Sequence, residues 1–351
     1  MTLNPTLSRR ETLAGGTVAA MTAFLPSPAH AQRGTSSTPD QELKMRAGET
    51  ITGKFSGRQI TIPDANKPPI PALAEPGVIL NGSKAAGFEI DEARGYPDVR
   101  SFKRKFGLLI PATNTSMEHE LWSIICANPE RLNGVGLHTS NIVTPKPQLK
   151  TAEDLENYKK QFLGGLKAAV DIALLAEPQY LIMGMSLEHI INGLEGVRAP
   201  VAEIESYSGL ACAAWHDAVK AALSCYGAKR IGLLTPFDKN GNEYATHMFQ
   251  DMGFEVAASV GFSCANALHI AHVPDWAKEK AILELLSTDA NRLDAVVQCG
   301  TNMSLINVTE KLEPIIEMPI LGINAVTFWY ALRENGFNDK LHGAGRLMQE
   351  F

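Results

Sequence analysis

The sequence predicts an α/β fold of two similar Rossmann-like halves, whose parallel sheets surround a central cleft, plus an N-terminal extension. From residue 106 onward, short apolar runs such as FGLLIP, YLIMG, RIGLLTP and LDAVVQC alternate with amphipathic stretches. This alternation is typical of a parallel sheet covered by helices. The halves are indicated by an internal repeat, since GLLIPATN from Gly107 is matched by GLLTPFDKN from Gly232. A chance likeness between two such strands is the alternative.

Composition and charge exclude several classes of protein. The chain has 351 residues, of which 45% are hydrophobic and 20% charged, as in soluble globular proteins. Its formal net charge is −6, and no stretch combines Lys and Arg with aromatic residues, so nucleic acid is not an expected partner. The sequence also lacks a GxxxxGKS/T loop and a complete dinucleotide fingerprint.

The first segment has the pattern of an export signal. Arg9 and Arg10 precede an apolar run over 13–25, and small residues follow at AHA. The pattern predicts a twin-arginine signal over 1–31, cleaved after Ala31, and a periplasmic protein. A membrane anchor is the alternative, but the run is shorter than the roughly 20 apolar residues that span a bilayer. No stable membrane anchor is therefore expected.

Three further segments follow the signal. Residues 32–104 are rich in Pro, Gly, Ser and Thr and are interpreted as an extension that packs on the main domain or mediates homo-oligomer assembly. Within it, ETITGKFSGRQITI predicts a short hairpin. The first α/β half is predicted over 105–205, and the second, with a C-terminal return, over 206–351. Parallel sheets bind ligands at the carboxyl ends of their strands, so the cleft between the halves is the expected site.

The cysteines and histidines give no metal pattern. The five cysteines lack a CxxC spacing, which argues against a zinc site and against a disulfide framework. An odd number leaves at least one thiol unpaired within a monomer. His269 and His272 are three residues apart with no third ligand in the pattern, so no metal is expected. The cysteines are Cys126, Cys212, Cys225, Cys264 and Cys299.

Four motifs resemble the aspartate/glutamate racemase superfamily, in the branch of maleate cis-trans isomerases and arylmalonate decarboxylases. They are PATNTSMEHE (111–120), MGMSLEHIINGLEG (183–196), QCGTNMSL (298–305) and the ending MPILGINAVTFWYALRENG. The resemblance covers the chain from residue 105 onward. It implies an enzyme without metal or organic cofactor, with one or two cysteines in a cleft that binds a small carboxylate or dicarboxylate.

Cys299 is the predicted catalytic residue, as proton donor or acceptor. It follows an apolar strand and precedes GTNMSLINVTEKLE, where Thr301 or Asn302 can cap a helix. Backbone N–H groups at a helix start would favour a thiolate. From the residue alone, a small buried cysteine that ends a core strand is the alternative. The family pattern CGTN favours catalysis and places Gly300 and Thr301 among the substrate-binding residues.

Three residues of the first half are matched to the same branch. Gly184 stands where two-cysteine members carry their other thiol, and arylmalonate decarboxylases also have Gly there. Met185 replaces a Thr of the decarboxylases. Ser186 matches a Ser of their carboxylate-binding loop, where hydroxyl and N–H donors hold oxyanions; a helix N-cap is the alternative.

Four other positions complete the predicted substrate site. Asn114 and Thr115 match the NT of maleate isomerases, whose Asn amide grips a carboxylate; a turn-forming Asn is the alternative. Asn266 in CANALHI is matched to another isomerase amide. An active-site Tyr of both groups corresponds to a position near Phe237 in this sequence. Phe237 lacks the Tyr hydroxyl, so a larger or more apolar pocket is predicted.

These features favour a decarboxylase that acts next to a carboxylate with a single thiol. Racemisation by two bases needs an acceptor on each face of the carbon, whereas decarboxylation needs only one proton delivered by Cys299. Restoring a thiol at Gly184 is therefore expected to add racemising activity. The alternatives are a maleate isomerase-like or Asp/Glu racemase-like isomerase, and a non-catalytic periplasmic protein that binds a dicarboxylate.

Overall fold

The computed structural model describes residues 49–61, 98–143, 152–186 and 193–351. The predicted signal over 1–31, most of the extension and residues 187–192 of the second motif lie outside the described residues. Within the described ranges, no helix combines the length and the apolar character that a membrane span requires.

The predicted hairpin of the extension is confirmed. Strand β1 (Thr50–Thr52) pairs antiparallel with β2 (Gln59–Thr61). Glu334 binds the turn that connects these strands. Its carboxylate accepts hydrogen bonds from the N–H groups of Phe55 (2.7 Å) and Ser56 (3.1 Å) and from the Ser56 hydroxyl. The Phe55 ring packs on Trp329, with centroids 4.9 Å apart. This part of the extension therefore packs on the main domain.

The first sheet has four parallel strands in the order β4, β3, β5, β6. The inner strands β3 and β5 are largely buried, as expected for a sheet covered by helices, whereas the edge strand β4 is partly exposed. The strands are β3 Arg104–Pro111, β4 Val135–Ile142, β5 Tyr180–Met183 and β6 Cys212–Ala213. The accompanying helices are α1 Met117–Ala127, α2 Pro129–Leu132, α3 Ala152–Leu174, α4 Leu194–Ser208 and α5 Trp215–Cys225.

The second sheet repeats this arrangement, with four parallel strands in the order β8, β7, β9, β10. Its strands are β7 Arg230–Thr235, β8 Glu255–Gly261, β9 Ala295–Gln298 and β10 Ile320–Gly322. The helices are α6 Lys239–Asp251, α7 Ala267–Ile270, α8 Asp275–Lys280 with a π-helical continuation over Ala281–Leu286, α9 Ile306–Ile316, α10 Ile323–Glu334 and α11 Arg346–Glu350. The predicted fold of two similar α/β halves is confirmed.

The division between the halves differs from the predicted boundary at residue 205. Strand β6 pairs with β5 and therefore belongs to the first sheet, although it follows that boundary. Helix α10, late in the chain, packs against α5, α1 and β6 of the first half. The first half thus extends to α5 and is completed by the C-terminal return.

The hydrophobic core continues from one half to the other. Its main cluster contains first-half residues such as Leu108 together with Leu233, Val297 and Cys299 of the second half. In α3, the buried face is formed by residues with helical spacing: Leu166, Ala169, Val170 and Ala173. Ile172 lies between the buried residues Val170 and Ala173 but outside this face, and it is 52% exposed.

A cavity of about 610 Å³ separates the hairpin from the first half. Phe55, Tyr180, Cys212 and Tyr330 are among its lining residues. Because Tyr180 is the first residue of β5, the cavity lies at the amino ends of the strands, away from the edge that carries Cys299.

Candidate active site

The carboxyl ends of β5 and β9 place Gly184 and Cys299 at equivalent points of the two halves. Gly184 N donates to Leu109 O at 2.7 Å, and Cys299 N donates to Leu234 O at 2.9 Å. Each bond joins the residue after the third strand of a half to the first strand of that half. The predicted catalytic thiol therefore has glycine as its structural counterpart.

Cys299 is fully buried and is held by its own loop. The buried Gln298 amide donates to the Cys299 carbonyl and, at 2.8 Å, to Gly300 O. Gly300 has a φ of +91°, a region that suits glycine, and a Cβ there would overlap the Pro236 ring. The residue after the thiol is thus required to be Gly by both conformation and space.

The predicted helix cap at Thr301 or Asn302 is wrong. Helix α9 begins only at Ile306, with Leu305 at the N-cap position. The N–H groups of Leu305 and Ile306 donate to the carboxylate of Glu120 and do not face the thiol. Tertiary contacts of the 301–305 segment, and not the local capping pattern, decide where this helix starts.

Asn114 is buried and uses both ends of its side chain. Its Oδ1 accepts hydrogen bonds from Ser116 N and Met117 N, each at 3.0 Å, before the first turn of α1. Its Nδ2 donates to Thr301 Oγ1 at 3.1 Å. The turn-forming interpretation therefore describes its oxygen, while its amide joins the first half to the loop that follows Cys299.

Asn302 connects three loops through hydrogen bonds of its side chain, a role that the sequence did not predict. Its Oδ1 accepts from Thr115 N at 2.9 Å, and its Nδ2 donates to Thr113 O and Ala267 O, each at 3.0 Å. Ser116 Oγ donates to Asn302 O at 2.8 Å. The loops after β3 and β9 and the start of α7 are thereby brought together. Only the resemblance of CGTN to the family could have pointed to this residue.

Gly184, Met185 and Ser186 form the buried end of the first-half loop, immediately before residues outside the described ranges. A Cβ at Gly184 would overlap Ile110 and the Met117 sulfur and would lie 3.0 Å from Leu109 O. The position therefore has no room for a side chain unless its neighbours shift.

Phe237 lies in the second half, in the turn after β7, and its side chain is buried in the main core. Its N–H donates to Thr235 Oγ1 at 3.1 Å, and that hydroxyl donates to Asn242 Oδ1 at 2.9 Å. Thr235 is fully buried, so its hydroxyl serves the turn and does not replace the missing tyrosine hydroxyl.

Asn266 does not join the other predicted residues through its side chain. It is exposed, and its Oδ1 accepts from Leu268 N at 3.0 Å and His269 N at 3.1 Å as the cap of α7. The His269 and His272 rings lie 5.6 Å apart. No group of three His, Cys, Asp or Glu residues in the described part of the chain could hold a metal ion.

The other cysteines differ from Cys299 in position. All five are thiols, without disulfides. Burial raises the pKa of the Cys212, Cys225 and Cys264 thiols. Cys264 follows β8 on the same edge of the second sheet, and its N–H donates to Pro236 O at 2.9 Å.

Two parallel halves of one strand order, with Cys299 and Gly184 at matching strand ends, define a protein of the aspartate/glutamate racemase class. The chain belongs to the arylmalonate decarboxylase family, whose sequence model matches residues 167–348. The resemblance proposed from the sequence is confirmed. A search of curated proteins gives no match.

Solved structures of two kinds of enzyme share the fold. Maleate cis-trans isomerase of Nocardia farcinica, in a variant with a covalently bound succinylcysteine intermediate, has a TM-score of 0.60 and 19% identity over 71% of this chain and 99% of its own. Maleate isomerase of Pseudomonas putida has a TM-score of 0.61 and 18% identity, over 70% and 98%. A liganded arylmalonate decarboxylase variant has a TM-score of 0.59 and 16% identity, over 71% and 100%.

Proposed function

We propose that this enzyme decarboxylates a malonate that carries an aryl or similar apolar substituent, with Cys299 as the only thiol that takes part. Membership of the arylmalonate decarboxylase family supports the reaction type. The observation that carries the single-thiol mechanism is the pairing of Cys299 with Gly184 at equivalent strand ends.

The reaction needs one proton from the protein. The bond between the α carbon and one carboxyl group breaks, carbon dioxide leaves, and the electron pair remains as an enediolate. The Cys299 thiol then donates its proton to the α carbon, and the resulting thiolate recovers a proton from solvent. Since Gly184 offers no acceptor on the other face, the product is a single enantiomer.

Two residues matched to the substrate site support an apolar substituent. Met185 and Phe237 are buried in the main core on opposite halves, and neither carries the hydroxyl found in the family pattern. Ser186 and the backbone N–H groups beside it supply donors for the retained carboxylate, which becomes the enediolate oxygen pair.

The test is conversion of an α-aryl-α-methylmalonate in heavy water, followed by proton NMR and chiral chromatography. The unmodified protein should give one deuterated enantiomer, and Cys299→Ala should lose turnover while keeping its circular dichroism spectrum. Cys264→Ala is the matched control and should keep turnover, because that thiol is not part of the proposed mechanism. Racemic product, or full activity without Cys299, would refute the mechanism.

Isomerisation of a cis dicarboxylate is the second candidate, supported by the loop of the buried Asn114 and the exposed Thr115, which matches the maleate isomerases. A thiolate that adds to the double bond and leaves after rotation would need no second thiol. Conversion of maleate to fumarate that depends on Cys299, without decarboxylation of any malonate, would favour it. Binding of these acids without any turnover would favour the non-catalytic alternative.

The cellular location of the protein is proposed from the sequence alone. Residues 1–31 carry the paired arginines, apolar run and small residues of a twin-arginine signal, which supports export to the periplasm and cleavage after Ala31.

A further inference from the structure

We propose that Glu120 is a positioning residue for the reaction at Cys299, acting through Asn324 and the 301–306 segment. The proposal rests on the proposed function. Glu120 lies on α1 of the first half and is 1% exposed, whereas its partners all belong to the second half or to the C-terminal return.

The Glu120 carboxylate is satisfied by four donors. Oε1 accepts from Ser304 Oγ at 2.8 Å, Leu305 N at 2.7 Å and Ile306 N at 3.0 Å. Oε2 accepts from Asn324 Nδ2 at 2.6 Å. Within the described ranges it forms no ion pair, so its charge is balanced by neutral donors and by the N-terminus of α9.

Asn324 extends this contact toward the thiol. Its Nδ2 also donates to Thr301 O at 2.9 Å, two residues after Cys299. Its Oδ1 is buried without a hydrogen-bond partner among the described residues. An amide that leaves an acceptor unsatisfied is oriented by its donor side, which here bridges Glu120 and Thr301.

The segment that follows the thiol is therefore held at both ends. At its start, Cys299 N is bound to Leu234 O at 2.9 Å. At its end, Glu120 binds Leu305 N and Ile306 N, and Asn324 links the same carboxylate to Thr301 O between them. Loss of the Glu120 contacts releases one end, so the sulfur shifts relative to the reacting carbon.

A purely structural role can be distinguished with Glu313, a second carboxylate on α9. Glu313 is 2% exposed and accepts from Ile320 N at 2.8 Å and Arg346 N at 2.6 Å. These partners lie away from the loop after Cys299. Glu313→Gln therefore removes a comparable buried carboxylate without touching the proposed positioning contacts.

The experiment compares Glu120→Gln with Glu313→Gln on an accepted malonate at a pH of about 8, above the Glu313 pKa of about 7. Glu120→Gln should lower kcat at least about tenfold with little change in KM, because the new amide faces the Asn324 donor. It should also speed hydrogen exchange at Leu305 and Ile306. Glu313→Gln should change kcat less than about twofold, whatever its loss of thermal stability.

Asn324→Ala provides the second arm. Asn324→Ala should reproduce the loss of kcat. The double variant with Glu120→Gln should lose less activity than the two single effects added together, because both substitutions remove the same contact between Glu120 and Asn324. Unchanged kcat in Glu120→Gln, or equal losses in the Glu120 and Glu313 variants, would overturn the positioning role.

The two proposals fail separately. If the unmodified protein turns over no malonate, the proposed function is refuted. Alkylation of Cys299 by iodoacetamide then decides the positioning role. A change in rate confined to Glu120→Gln supports it, and equal rates in the Glu120 and Glu313 variants overturn it.

Discussion

Gly184 and Cys299 occupy equivalent backbone positions in the two similar halves, yet only Cys299 carries a side chain. The equivalent hydrogen bonds to Leu109 and Leu234 hold both strand ends alike. What differs is the space beside them, since Ile110 and Met117 fill the volume that a side chain at Gly184 would need. The packing of the first half thus leaves no room for a thiol at Gly184.

Gly184→Cys is expected to destabilise the protein by about 1–3 kcal/mol, because the new Cβ overlaps Ile110 and Met117. The expectation that the substitution adds racemising activity stays a prediction, and it requires these neighbours to shift. Urea unfolding measures the effect, with Gly164→Cys as the control, since a Cβ at this exposed position of α3 meets no atom within 4 Å. Full stability of Gly184→Cys together with racemic product would show that the neighbours adjust.

Helix α9 illustrates where local sequence fails to define an element. Its start was expected at Thr301 or Asn302, which are good capping residues, but both serve contacts with the first half. The capping group is a carboxylate on a helix 185 residues earlier in the chain. Strands and the N-terminal hairpin were predicted because their hydrophobic and turn patterns are local, whereas a cap supplied from another half has no local signal.

The same helix ends with a titratable contact at Glu313. Burial raises the pKa of this carboxyl from 4.5 to about 7, so the folded state binds its proton more tightly than the unfolded chain does. Its stabilising contribution is complete below a pH of about 4.5 and is lost as the pH rises through about 7.

The contribution of Glu313 to the free energy of unfolding should therefore decline by about 1–3 kcal/mol over that range, and Glu313→Gln should remove this part of the pH dependence because Gln does not titrate. Urea unfolding of both proteins at several pH values measures it. Parallel pH profiles for the two proteins would contradict the assignment.

The two halves are joined by buried side-chain contacts that no single half contains. The internal repeat predicted the architecture, and the family motifs predicted most of the loops that meet at the cleft. Asn302 was expected only as a helix cap and Glu120 was quoted in its motif without a role, because their partners are distant in sequence and only the folded chain brings them together. The boundary at residue 205 was misplaced for a different reason, because β6 has only two residues and is too short to give a sequence pattern.

For the whole chain, export is the prediction that depends on its first residues. Replacing Arg9 and Arg10 by Lys should leave the precursor in the cytoplasm, because the paired guanidinium groups are the recognised feature of a twin-arginine signal. Cell fractionation with immunoblotting measures this, and Lys44→Arg, outside the signal, serves as a control. Normal periplasmic accumulation of the double variant would refute the assignment.

The contacts of Glu120 also set an order of events during synthesis. Glu120 leaves the ribosome 184 residues before Ser304 and 204 residues before Asn324, the groups that satisfy its carboxylate. A buried carboxylate without partners is costly, so α1 cannot adopt its final packing before the chain has been made as far as Asn324. A product truncated before Asn324 therefore lacks the contacts that hold the loop after Cys299.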